Sequence, residues 1–245
     1  MAKIASIHQL LVGNLLSKRF GGIKMAVKVI EVKESVFKNN NERADKLRSR
    51  LKDEKTFLLN LMSSPGSGKT TTLLRTCEKL KDKFNIGIME ADIDGSVDAE
   101  TMNDAGVKAI QVHTGGMCHL DADMTAQGID ELGTEDIDLA ILENVGNLVC
   151  PAEFDTGAVK NVCILSICEG HDKPLKYPLI FETCDAMIIN KMDVMNYFNF
   201  DMDQVKEYAY KRNPNIKIFP ISAINGEGVD AWTDWLAEQV NNWIK

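Results

Sequence analysis

The sequence predicts an α/β fold, a single domain with a mostly parallel central sheet and helices on both faces. Three observations carry that expectation. Short apolar runs recur at 57–62, 86–91, 108–113, 138–142, 162–168, 184–189 and 217–221, and runs of this length bounded by turn residues read as buried strands alternating with helical patterns. Acidic or glycine-containing segments follow most of these runs, at the strand ends where open α/β sheets bind ligands. The first run leads directly into Ser63-Ser64-Pro65-Gly66-Ser67-Gly68-Lys69-Thr70, and a helix pattern follows at once. Strand, glycine-rich loop and helix are the parts of a phosphate-binding loop.

Taken in order, the chain begins with a segment of different character. Residues 3–20 place Ile4, Ile7, Leu11 and Leu15 on one helical face, but His8, Gln9 and Asn14 interrupt the apolar stretch and no small-residue cleavage site follows, so a signal peptide is not expected. Met25 follows the Gly21-Gly22 breaker. Residues 1–24 therefore read as an upstream extension or a start-site artefact, within an N-terminal extension of 1–38 ahead of a domain at 39–245. Residues 39–54 are strongly charged, with Ala44, Leu47 and Leu51 spaced three and four apart, which predicts an amphipathic helix on the domain edge with no visible chemistry.

The loop at 63–70 has a simple physical use. Small residues let backbone N–H groups turn inward around phosphates, the helix N-terminus adds positive dipole, Lys69 supplies a point charge and the Thr70 hydroxyl can hold Mg²⁺. Ser64, Pro65, Gly66, Ser67, Gly68, Lys69, Thr70 and Thr71 are the expected phosphate contacts. Ser63 stands where the usual signature begins with glycine.

The run at 86–91 ends in Asp92-Ile93-Asp94, with Asp98 beyond. Carboxylates at this edge can hold Mg²⁺ or orient an attacking water, and each alone can equally be a helix cap or a solvated loop residue. Asp92 is the better placed for the metal sphere and Asp98 for a switch. The run at 108–113 leads to Thr114-Gly115-Gly116-Met117-Cys118-His119. Thiolate and imidazole suit Zn²⁺ or Ni²⁺, although two adjacent ligands do not make a site, and a small buried thiol beside a helix-end histidine fits as well.

The run at 138–142 is followed by Glu143, an arrangement that sets a carboxylate near Mg²⁺ at the mouth of the sheet. Gly146 can offer its N–H to a γ-phosphate. Lys69, Asp92, Asp98, Glu143 and Gly146 form the expected catalytic set. Cys150 follows closely, so a change at the γ-phosphate would reach a cysteine whose expected partners are Cys118 and His119. Cys77, Cys163, Cys168 and Cys184 lie among apolar neighbours and read as core cysteines.

After the run at 184–189 comes Asn190-Lys191-Met192-Asp193. Asp193 can accept the N1 and N2 hydrogens of guanine, Asn190 can meet the O6/N7 side, and the Lys191 stem can lie over the base. Adenine presents the opposite pattern. The last apolar run ends in Ser222-Ala223-Ile224-Asn225-Gly226-Glu227-Gly228, where the Ala223 N–H can donate to O6. The tryptophans at 232, 235 and 243 share a helical face and read as packing.

This succession of motifs resembles a P-loop NTPase of the metal-chaperone GTPase branch. The pairing of Gly116-Met117-Cys118-His119-Leu120-Asp121-Ala122 with Glu143-Asn144-Val145-Gly146-Asn147-Leu148-Val149-Cys150-Pro151 is similar to the HypB-type hydrogenase nickel-insertion GTPases, over roughly 39–245. The resemblance implies a slow GTPase using GTP and Mg²⁺, with guanine selected by Asn190, Lys191 and Asp193. It also implies Ni²⁺ or Zn²⁺ held by Cys118, His119 and Cys150 at a subunit interface, and a homodimer promoted by GTP. A second nickel accessory protein and a hydrogenase large-subunit precursor are its implied partners. The alternatives are a urease-type or other metal-chaperone GTPase and a non-enzymatic nickel or zinc buffer. A net charge of −8 argues against a nucleic-acid surface spread over the domain, and no membrane contact is expected. Six scattered cysteines without a CxxC fit a reducing, cytoplasmic setting.

Overall fold

The computed structural model describes residues 32–92, 102 and 106–245, and Val36–Lys245 forms a compact unit. The expectations for the 1–31 segment and for Asp94 and Asp98 lie outside the described residues. The first helix, α1 (Val32–Asp53), runs through position 39, so the expected domain start falls within it.

Seven strands form one wholly parallel sheet. They are β1 (Phe57–Ser63), β2 (Ile86–Asp92), β3 (Lys108–His113), β4 (Leu139–Glu143), β5 (Lys160–Ser166), β6 (Ala186–Asn190) and β7 (Lys217–Pro220), in spatial order β3-β2-β4-β1-β5-β6-β7. Every residue of β1, the central strand, is buried. Alternate residues of that strand serve opposite faces, as the two-residue period requires. Leu59 and Leu61 join the cluster containing Leu73, Cys77, Trp232 and Leu236. Leu58 joins Leu47, Leu51, Ile129 and Leu132, and Met62 joins Ile180, Phe181 and Val205.

Helices accordingly cover both faces. α2 (Lys69–Leu80) and α8 (Val229–Ile244) lie on one, while α1, α3 (Ala122–Leu132), α6 (Pro178–Thr183) and α7 (Met202–Arg212) cover the other; α4 (Cys150–Glu153) and α5 (Lys173–Lys176) are single turns. Ala44, Leu47 and Leu51 are buried, on the face that their spacing predicts. Full burial of a leucine contributes about 1.5–3 kcal/mol, enough to hold a largely polar helix in place. Trp232 is buried and its indole N–H donates to the Thr76 hydroxyl at 2.9 Å, and Trp235 stacks beside it, so these tryptophans pack as expected.

Two expectations need correction. Cys168 is exposed, because β5 ends at Ser166 and a 3-10 turn over Ile167–Glu169, capped by the Ser166 and Glu169 side chains, carries the thiol off the sheet. Glu143 is the last residue of β4 rather than the first beyond it, which places its side chain within the buried end of the strand. Among the described residues no helix is long and apolar enough to cross a membrane.

Candidate functional site

At the C-terminal edge of the sheet, β1 turns into the loop before α2. Gly68 takes φ +94°, and a Cβ there would lie 2.5 Å from the Asn190 amide nitrogen, so only glycine fits. The α2 N-terminus has no side-chain cap, which leaves its first N–H groups to a ligand. Ser63, the departure from the signature, is fully buried, and its hydroxyl accepts from Ser67 Oγ at 2.7 Å and Lys69 Nζ at 3.0 Å. The serine thus parks the Lys69 ammonium inside the loop. Ser64 donates to Glu169 of the 3-10 turn after β5, which ties the loop's outer side to the next strand.

A cleft of about 460 Å³ opens over this loop, lined in part by Gly68, Lys69, Thr70, Thr71, Glu143 and Gly146. Gly146 packs closely here: a Cβ would come within 3.2 Å of the Pro65 ring and 3.4 Å of Lys69 Nζ, so a side chain would push its neighbours by a few tenths of an ångström. Glu90 lines the same cleft. It is 5% exposed, and it stands opposite Glu143, 3% exposed, in the register of β2 and β4. Oxygen donors from Thr70, Glu90 and Glu143 facing one cleft form a set suited to a hard cation such as Mg²⁺. Asp92 ends β2 opposite His113.

Behind Glu143, a chain of amides crosses the sheet, Asn144 and Asn60 buried and Asn161 half-buried. Asn144 Nδ2 donates to Asn60 Oδ1 at 3.1 Å, and Asn60 Nδ2 donates to Asn161 Oδ1 at 2.9 Å. The Asn144 N–H bonds the Leu61 carbonyl at 2.9 Å, and its side chain caps the Val145 N–H. Hydrogen-bond networks in a low-dielectric interior are strengthened, so the backbone leaving β4 is anchored at Asn144 and Val145.

The second motif, 190–193, meets the first directly. Asn190 is 2% exposed; its Nδ2 donates to the Ser67 carbonyl at 3.0 Å, and its Oδ1 accepts from the Lys191 and Ala223 N–H groups at 2.7 and 3.1 Å. In this structure the Asn190 amide is thus a brace joining three loops, and the Ala223 N–H expected to face a base points to Asn190 Oδ1. Lys191, at φ +67°, donates from Nζ to the Gly66 carbonyl at 2.7 Å. Asp193 is exposed and receives the hydroxyl of fully buried Ser222 at 2.6 Å, which orients a carboxylate otherwise free to meet a ligand. Arg75 of α2 donates to the carbonyls of Ala223 and Ile224 at 2.9 and 3.0 Å, holding this turn beside the loop.

Cys118, His119 and Cys150 come together only in part. All are half-buried, and Cys150 lies near enough to Cys118 to act on its titration. That contact, followed by burial, raises Cys118 above the usual thiol range. The His119 ring stacks on Phe154 at 3.9 Å between centroids, and its Nδ1 is 4.0 Å from Cys118 Sγ. Burial lowers the His119 pKa against the opposing pull of Asp121 and Glu153, so the imidazole is readily neutral and able to ligate. No group of three His, Cys, Asp or Glu side chains is assembled as a metal cluster among the described residues.

Residues 57–220, which span the sheet, this cleft and the cysteine-bearing segments, match the family described as CobW/HypB/UreG, nucleotide-binding domain. The chain belongs to that family. Within the CobW/HypB/UreG family, it is 45% identical over 212 residues to the hydrogenase maturation factor HypB of Escherichia coli K12, covering 86% of this chain and 73% of that one. It is 39% identical to the hydrogenase/urease maturation factor HypB of Helicobacter pylori J99, covering 88% and 90%. A crystal structure of HypB from Helicobacter pylori in complex with nickel superposes with a TM-score of 0.79 at 40% identity, covering 83% of this chain and 96% of that one. The Archaeoglobus fulgidus HypB structure follows at 0.77 and 35%, covering 83% and 99%.

The family's nucleotide-binding region also contains residues that the sequence reading passes over. Glu90 is legible as an acidic residue within an apolar run, two positions before the more conspicuous Asp92. Arg75 carries no signal, since the carbonyls it grips are more than a hundred residues away.

Proposed function

We propose that this protein is a slow, Mg²⁺-dependent GTPase that delivers nickel to a hydrogenase large-subunit precursor in the cytoplasm. It works as a homodimer promoted by GTP, together with a second nickel accessory protein. The observation that carries this reading is the path along β4. Glu143 stands at the phosphate cleft, and a short segment, anchored at Asn144 and Val145, leads from it to Cys150 near Cys118. One strand end thus connects a triphosphate site to a pair of thiols. The nickel-bound relative and the hydrogenase maturation factors support the cargo and the recipient.

In this mechanism Lys69 leaves Ser63 to meet the phosphates, the α2 N-terminus and the loop N–H groups bind their oxygens, and Asp193, held by Ser222, selects guanine. The Asn190 brace keeps the base and phosphate subsites at a fixed separation. Thr70 and Glu143, with Asp92 and Asp98, would hold Mg²⁺, which supplies charge neutralisation at the phosphates when bound. Gly146, packed on Pro65 and Lys69, is where a γ-phosphate makes itself felt. Its displacement moves the segment to Cys150, and a second subunit completes the ligand set that one chain leaves unfinished. Affinity for nickel then differs between nucleotide states, and by linkage nickel must alter nucleotide or dimer affinity equally. The domain at 39–245 carries all of these parts, with 1–38 as an extension.

Titrating the purified protein with Ni²⁺ in the presence of GDP or of a non-hydrolysable GTP analogue, while measuring metal stoichiometry and molecular mass, tests the reading. The expected result is a dimer with altered nickel affinity in the analogue alone. Equal affinity and equal mass in both nucleotides overturns it.

A further inference from the structure

Helix α1 reads in sequence as a packing helix, yet its buried polar side chain ends on both segments that carry the metal ligands. Asn40 is 6% exposed, and each end of its amide is used. Its Nδ2 donates to the Asp155 carbonyl at 2.9 Å, and its Oδ1 accepts from the Ala122 N–H at 2.9 Å. Ala122 opens α3 just beyond Cys118 and His119, and Asp155 follows α4, which begins at Cys150. Farther along α1, Arg48 grips both Asp155 carboxylate oxygens at 2.8 and 2.9 Å and the Ala158 carbonyl at 3.1 Å. Asp155 in turn caps the Gly157 N–H at 2.8 Å. Ala44, Leu47 and Leu51 continue the Asn40 stripe into the core, so the platform beneath these bonds is rigid.

We infer that Asn40 is a positioning residue for metal binding, a single amide that sets the separation between the Cys118–His119 segment and the Cys150 segment, with Arg48 anchoring the Asp155 end of that span to the same helix. The inference rests on the reading that Cys118, His119 and Cys150 hold nickel. An amide bonded at both ends has one fixed span, and here its two ends hold segments that belong to different strand-to-helix connections. Metal ligands must sit within a few tenths of an ångström of their proper distances. Removing partners outside the ligand sphere typically weakens metal binding about 10–100-fold.

The test uses the full chain with Ni²⁺ alone as probe. Asn40→Leu removes both bonds, and Asn40→Asp keeps the acceptor for Ala122 while setting a carboxylate against the Asp155 carbonyl. Both variants are expected to bind Ni²⁺ about 10–100-fold more weakly, with a shifted thiolate-to-nickel charge-transfer absorption and unchanged GTP turnover. A lower melting temperature with wild-type nickel affinity and spectrum shows a merely structural role and overturns the inference. Should Asn40→Leu fail to fold, Asn40→Asp and Arg48→Gln decide by the same readouts. Cys118→Ala is the control: nickel lost there but intact in the Asn40 variants overturns only the role of Asn40. Nickel retained there with the wild-type spectrum overturns the ligand reading and this inference together.

Discussion

At the nucleotide end, motifs distant in sequence bond one another side chain to backbone: Asn190 to Ser67 and Ala223, Lys191 to Gly66, and Arg75 to the turn after β7. At the metal end, Cys118 reaches Cys150, but His119 stacks on Phe154 and the tie between the segments comes from a third element, α1. The first region is preorganised, so little ordering remains to be done when a nucleotide binds. The second keeps the thiols and the imidazole proposed as ligands half-exposed and incompletely gathered. A site that must release its cargo has reason to be built this way, since a closed, fully assembled thiolate site holds metal tightly.

The largest effect expected at the nucleotide end is that of Lys69→Ala. It removes the charge parked within the loop and should lower GTP turnover by at least about a hundredfold, while leaving Ni²⁺ binding to the monomer in place. Steady-state phosphate release measured beside a metal titration checks both halves. Full GTPase activity in this variant would sink the role given to Lys69.

A middle-sized effect is expected from Ser222→Ala. Asp193 then loses a charge-assisted hydrogen bond, and GTP should bind about tenfold more weakly relative to ATP. Competition between the two nucleotides reads this out, and unaltered discrimination would detach Ser222 from base selection.

The smallest and most graded effect concerns pH at the metal end. Because Cys118 is raised in the metal-free protein, it is protonated through the neutral range, and binding a metal must displace that proton. Nickel affinity should therefore climb by about tenfold per pH unit for each proton released, and continue climbing above the ordinary thiol range. His119, being lowered, is already neutral there and adds nothing to the slope. Cys118→Ala should flatten the profile, and proton release measured alongside checks the sign; a pH-independent affinity would show that the thiol pair is not the ligand.

Most of the fold is legible in the amino-acid sequence, because each strand is a short apolar run with punctuation and α1 announces its buried face through Ala44, Leu47 and Leu51. The phosphate loop is legible for the same local reason: Gly66, Gly68, Lys69 and Thr70 do their work within one turn of chain. Pairing Cys118 with Cys150 is suggested by their shared ligand chemistry and strengthened by the resemblance to a family, but the intervening chain gives no distance. The exposure of Cys168 is hidden because an apolar run does not show where its last residues leave the sheet.

The sequence by itself determined an α/β domain with a phosphate loop, a guanine-type motif and a set of soft ligands, since all of these depend on residue type and near-neighbour spacing. Only the tertiary structure decided that the Asn190 amide braces three loops, that the Ser63 hydroxyl accepts from Lys69, and that Glu90 stands opposite Glu143. It also decided that Asn40 spans the two ligand segments. Each of these is a hydrogen bond or a juxtaposition between residues brought together by the folded chain, and most such pairings are created when the sheet forms.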